Sequence, residues 1–141
     1  MKRIAPKTSQ GTADKFAGAV YPTCILEGDE PSRVRMYSVH FAPSAHTAWH
    51  AHAVGQYLHI VEGTALVQER GGEAQVLKPG ETIYTALGVE HWHGATPDSF
   101  MVHLAIVEAS APDDNQIDTI WNEHVTDDEY ALAASRAVSK N

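Results

Sequence analysis

Apolar and polar positions alternate with a period of two through much of the chain. The clearest run is 34–41, bounded by Glu30-Pro31-Ser32 and Ala42-Pro43-Ser44. Alternation of this kind between Pro-containing turns predicts a strand with one buried face. The same reading predicts strands over 57–61, ended by Glu62-Gly63, and over 64–70, 75–77, 82–85 and 100–108, the last being the longest apolar run. The runs on either side of Gly71-Gly72 read as a hairpin. Short strands with regular turn punctuation predict an all-β, antiparallel sandwich or barrel.

One helix stands out near the end. Thr126-Asp127-Asp128-Glu129 has the form of a capping box, and the good helix formers Tyr130 to Ala134 carry the helix to about Ala137. No chemistry is assigned to it. Residues 1–15 are polar, carry Pro6 and Gly11, and read as an arm that frays or crosses a neighbouring subunit. The expected division is 1–15 arm, 16–125 barrel, and 126–141 helix and tail.

A chain of 141 residues with 43% hydrophobic content buries one core, so one domain is expected. Eighteen acidic against ten basic residues give a formal charge of −8, which repels nucleic acid and anionic membrane surfaces. The basic start is followed by polar residues rather than the apolar core of a signal peptide, and no stretch reaches the length of a membrane span. Cys24 is the single cysteine. It reads as a buried structural thiol and fits a cytoplasmic location. The expected partners are a small-molecule substrate and further copies of the chain, as a homodimer or homotetramer covering sheet edges.

Candidate chemistry comes from two histidine clusters, His50-Ala51-His52 followed by Gln56, and His91-Trp92-His93. On a strand the i, i+2 spacing turns both imidazoles to one face. Imidazoles gathered from two strands inside a small barrel make a transition-metal site. Parity also groups Met101, His103, Ala105 and Val107, and puts Leu58 and Ile60 with Gln56 while His59 points away. An inward placement of Tyr37 and Val39 depends on a register that the sequence leaves open.

His50-x-His52-x-x-x-Gln56 with Gly63 resembles the first cupin motif, HxH(x)3E(x)6G, with glutamine in place of glutamate. Gly80, Ala86, Gly88 and His91 resemble the second, G(x)5PxG(x)2H(x)3N, with Ala86 replacing the proline and Ala95 the asparagine. The resemblance implies a double-stranded β-helix, or jelly-roll barrel, with His50, His52, Gln56 and His91 as metal ligands. Within cupins the chain is similar to the small manganese-dependent hydroxynitrile lyases. The similarity runs through Thr47 to His52, Gly55-Gln56, Glu90 to Ala95, His103 to Ile106 and Trp121 to Asp127. In those lyases glutamine is also a ligand. The resemblance implies a divalent metal, manganese first, with iron, nickel or zinc as alternatives, and pocket positions for His93 and His103.

Three neutral imidazoles and an amide leave the charge of a divalent ion uncompensated, which makes it a stronger Lewis acid. The expected reaction is cleavage or formation of a cyanohydrin, with His103 as base, His93 as its alternate or as donor to cyanide, and Thr47 orienting the substrate oxygen. The alternatives are a metal-dependent dioxygenase and a non-catalytic cupin that binds a small ligand. His40, His46, His59 and His124 read as structural or surface histidines, Trp49 and Trp92 as core or wall aromatics, and Glu90 and Asp127 as solvated charges. Tyr37 and Val107 depart from the similar lyases, which have a smaller and a polar residue there, and imply a more crowded, more apolar pocket.

Overall fold

In a computed structural model that describes residues 1–114 and 117–140, two antiparallel sheets close over one another with a helix packed outside them. Asn115 and Gln116 of the expected barrel and Asn141 of the expected tail lie outside the described residues. The elements are β1 (Lys7–Thr8), β2 (Phe16–Ala17), β3 (Val20–Glu27), β4 (Val34–Phe41), β5 (His46–Thr47), β6 (His50–His52) and β7 (Gln56–Gly63). They continue with β8 (Ala65–Glu69), β9 (Gln75–Leu77), β10 (Thr82–Thr85), β11 (His91–Ala95), β12 (Met101–Glu108), β13 (Thr119–Trp121) and α1 (Asp127–Ser139).

The first sheet has the order β1-β3-β4-β12-β7-β10. In the second, β11 pairs with β8 along one edge, and β8 pairs in turn with β9. Along its other edge β11 meets β5 at Gly94 and β6 at His91, and these short pieces carry β2 and β13 as outer partners. The hairpin expected around Gly71 is present, with Ala65 opposite Leu77.

The period of two sorts side chains as expected. Gln56, Leu58 and Ile60 are buried, while Tyr57 and Val61 on the same strand are exposed. Met101, His103 and Ala105 share the inner face of β12. The register settles β4, placing Tyr37 opposite Ala105 and Val39 opposite His103, so both face the interior. On β11 the alternation puts His91 and His93 inside the barrel, and Trp92 on the outer face in a cluster with Trp49, Leu66 and Tyr130. Helix α1 covers that cluster with Tyr130, Ala133, Ala134 and Ala137. Its cap is the one the sequence predicts: the Thr126 amide donates to Glu129 Oε2 (2.8 Å), and the Glu129 amide donates to Thr126 Oγ1 (3.2 Å).

Two glycines allow neighbouring strands of one sheet to approach closely. A Cβ at Gly63, where φ is +74°, would lie 1.9 Å from the Phe100 carbonyl oxygen. A Cβ at Gly94 would lie 2.4 Å from the Ala45 carbonyl oxygen and 2.6 Å from His46 Cα. Only glycine lets β11 lie this close to β5.

The structure departs from the sequence reading in several places. Strand β3 was not expected, because Pro22 interrupts its run. Pro22 lies just beyond the two-residue pairing with β1, where its carbonyl accepts the Ser9 amide (2.9 Å) and only its own missing N–H is lost from the ladder. The arm adds β1 to β3 of its own chain, with Lys7 opposite Cys24. Cys24 is half-buried rather than buried. Glu90 is not a solvated charge: it pairs with Arg70 and accepts a hydrogen bond from Asn122 Nδ2 (2.9 Å).

Candidate metal centre

Strands β6 and β11 are directly paired at His50 and His91, so their inward side chains converge. The His50 and His91 rings are 4.3 Å apart between centroids, and the His52 ring lies 5.1 Å from His50 and 5.5 Å from His91. Gln56 enters from the first sheet, with Oε1 3.0 Å from His91 Nε2. All four expected ligands are therefore gathered at one place and buried. His93 joins them: ligand atoms of His50, His91 and His93 all lie within 4.8 Å of one another.

The backbone sets which nitrogen each ring offers. His50 Nδ1–H donates to the Ala48 carbonyl (2.9 Å), and His91 Nδ1–H donates to the Val89 carbonyl (3.1 Å). Each ring is therefore the tautomer whose Nε2 carries a lone pair. His52 is engaged through Nδ1 with Thr119 Oγ1 (3.2 Å), and its buried Nε2 has no partner. Carbonyl contacts that fix a ring and leave the opposite nitrogen free are the usual support of metal-ligating histidines. Gln56 Oε1 and His91 Nε2 face each other as two acceptors, an arrangement that a cation between them satisfies. The donor set fits a divalent ion with nitrogen and oxygen ligands.

Burial keeps the rings neutral. Desolvation lowers His50 well below its ordinary value, with His91 and His52 adding to the effect, and it lowers His91 as well. His52 is pushed down to about 4, first by burial and then by its neighbour His91. A buried imidazole that resists protonation keeps its lone pair available at neutral pH.

Behind the ligand cluster, His103 Nε2 lies 3.0 Å from His93 Nδ1. Their other nitrogens, His93 Nε2 and His103 Nδ1, are buried without a hydrogen-bond partner. Burial lowers His103 to about 4 and lowers His93 well below its ordinary value, His103 being the largest coulombic contributor to the latter. Phe41 packs on both rings. Thr47 Oγ1 accepts the backbone N–H of His93 (3.2 Å), which leaves the hydroxyl hydrogen free to donate into the cavity that Thr47 lines. The cavity has a volume of about 390 Å³.

The remaining histidines divide as expected. His46 donates from Nδ1 to the Ser44 carbonyl (2.8 Å) and stacks on Tyr130, while His59 bonds Thr82 on the surface. His40 and His124 are exposed. Among the cavity-wall residues that sequence reasoning missed are Lys15, Phe16 and Trp121. Trp121 stacks on His50 at 4.7 Å and stood within a stretch already marked by resemblance, whereas Lys15 carries no sequence signal.

A closed double sheet with imidazoles and one amide turned into its interior defines a barrel protein with a candidate metal centre. The chain belongs to the cupin family: the model of the cupin domain matches residues 37–107. It is 40% identical over 131 residues to an (R)-mandelonitrile lyase of Granulicella tundricola, covering 92% of this chain and 97% of that protein. Among solved structures, it is 35% identical to a cupin-like protein of Thermotoga maritima, with a TM-score of 0.81 over 89% of this chain and 92% of the other. The polyketide cyclase RemF of Streptomyces resistomycificus shares the fold alone, at 18% identity and a TM-score of 0.61, with 79% of this chain and 75% of that chain covered. No helix among the described residues is long and apolar enough to cross a membrane.

Proposed function

We propose that this chain is a metal-dependent lyase that cleaves or forms cyanohydrins, with manganese as its metal. The observation that carries the reading is the buried His93–His103 pair beside a ligand cluster made wholly of neutral groups. The 40% identity to an (R)-mandelonitrile lyase supports it.

His50, His52, Gln56 and His91 hold the metal, which when bound supplies Lewis acidity toward the substrate oxygen. The Thr47 hydroxyl donates to that oxygen and fixes its position. The His93–His103 pair takes the hydroxyl proton, with His103 as the base and His93 passing or sharing the proton across their hydrogen bond. As the O–H electrons become the carbonyl π bond, the C–CN bond breaks and its electron pair leaves with cyanide. The imidazolium then returns its proton to cyanide, so that the products are aldehyde and hydrogen cyanide. The walls contributed by Phe41, Val39 and Ala105 exclude water and hold the organic group.

The test is mandelonitrile cleavage by chelator-stripped protein reloaded separately with manganese, iron and zinc, following aldehyde and oxygen together. Metal-dependent aldehyde release without oxygen uptake is expected. Oxygen consumption that tracks turnover, or no aldehyde release with any metal, overturns the lyase reading.

A further inference from the structure

The wall of the cavity is unusual for so acidic a chain. The chain has 18 acidic and 10 basic residues, yet among the described residues no acid lines the cavity and Lys15 is the one basic residue of Lys or Arg type that does. Its backbone is fixed on both sides: the Lys15 N–H donates to the Thr12 carbonyl (3.1 Å), and the Ala48 N–H donates to the Lys15 carbonyl (2.8 Å). The next residue, Phe16, pairs with Thr47 of the site itself. Lys15 is thus set at the mouth by the same short strands that hold the polar groups of the interior.

Its ammonium group lies 5.6 Å from the centroid of the Trp121 ring, and the same ring stacks on His50. One indole thus contacts both Lys15 and an imidazole of the histidine cluster. Arg33, Arg35, Arg70 and Lys140 all face carboxylates of the chain, but Lys15 forms no ion pair among the described residues. The adjacent Asp14 is exposed and takes its hydrogen bond chiefly from Thr12, with a weaker coulombic influence from Lys15. The same cavity is lined by the apolar side chains of Val39, Phe41, Ala105 and Val107, beside the uncharged polar residues Ser9, Gln10, Thr12 and Thr119. A site of this kind binds the apolar body of a ligand by burial and reads its few polar ends at fixed points.

We propose that Lys15 is a specificity residue, and that the substrates of this chain are small carbonyl or hydroxy acids with an apolar body, whose carboxylate is held at the mouth by the Lys15 ammonium. The reacting end is assigned by the lyase reading, on which this inference rests; the carboxylate end is not. An unpaired cation at a half-buried mouth attracts a carboxylate more strongly than the same cation in bulk water, and no wall carboxylate opposes it.

Binding to the manganese-loaded protein, followed by titration calorimetry, tests the inference with 3- and 4-formylbenzoate, their methyl esters and benzaldehyde. At least one formylbenzoate is expected to bind ten-fold or more tightly than its ester. That preference disappears in Lys15→Met, survives in Lys15→Arg and shrinks as salt is raised, with the thermal midpoint of Lys15→Met unchanged. Equal affinity for acids and esters, no measurable binding of either acid, or a preference that persists in Lys15→Met overturns it. Turnover of the corresponding cyanohydrins is measured in parallel. Acid preference without cyanide release removes the lyase reading and leaves the carboxylate site standing, whereas cyanide release with no acid preference does the reverse.

Discussion

His103 Nε2 and His93 Nδ1 share one hydrogen bond of 3.0 Å, and the opposite nitrogen of each ring has no hydrogen-bond partner. A single proton lies between the rings, so the pair has two tautomeric arrangements. In one, His93 presents a lone pair to the ligand cluster; in the other it presents an N–H. The pair can therefore accept a proton at one step and donate at the next without either ring moving.

Removing His103 is expected to lower cyanohydrin turnover at least 100-fold while metal content stays stoichiometric, which is the scale of a lost general base. Metal analysis of the purified His103→Ala protein beside its turnover number checks this. His93→Ala separates two roles. If His52 and Gln56 complete the ligand set, metal content is retained and turnover falls; loss of metal from His93→Ala but not from His52→Ala would make His93 the ligand instead.

Gln56→Glu is expected to keep the metal and to slow turnover about ten-fold, because a carboxylate cancels part of the charge that stabilises the developing oxyanion. Chelator competition and turnover measured on the same preparation check both halves. A Gln56→Glu protein as active as wild type would show that the neutrality of this ligand has no part in the chemistry.

Gly94→Ala forces a methyl group against the Ala45 carbonyl and His46 in a place with no room for it. Overpacking of this kind costs about 3 kcal/mol. Urea unfolding of the metal-free protein is expected to show a lower midpoint with an unchanged slope. Because Gly94 follows His93 and lies opposite His46, metal affinity is expected to fall as well.

Low pH is expected to destabilise the metal-free protein. His103 and His52 are held at about 4 by burial, against an ordinary value of 6.5. Between these limits the unfolded chain binds protons that the folded chain refuses, so stability is complete above pH 6.5 and falls as pH drops toward 4. Each such ring contributes on the order of 3 kcal/mol. Urea midpoints measured from pH 7 to pH 4.5 check the direction, and a constant midpoint across that range contradicts it.

The fold was legible where a strand is long and buries one face. Strands β4 and β12 show this alternation in full, and their register then carries His103, Tyr37 and Val39 inward. The gathering of the imidazoles was legible because His50-x-His52 and His91-x-His93 combine parity with motif spacing. What escaped was contributed by contacts made across the fold. Strands β2, β5 and β13 are two or three residues long, too short for any period, and exist because β5, β11 and β6 respectively give them partners. Lys15, which precedes β2, and Trp121 of β13 reach the cavity through that long-range pairing, which no local period announces. Glu90 was read as a solvated charge for the same reason, since Arg70 and Asn122 come from other segments.

The inner wall residues Tyr37, Val39 and Val107 lie on β4 and β12, whose backbones are paired along their whole length, and their side chains make no hydrogen bond to the histidines. Their identity can therefore drift through mutation while the imidazole cluster and the His93–His103 hydrogen bond remain as they are. Such a protein is evolvable in what it accepts: descendants that share His50, His52, Gln56 and His91 need not share the same small ligand.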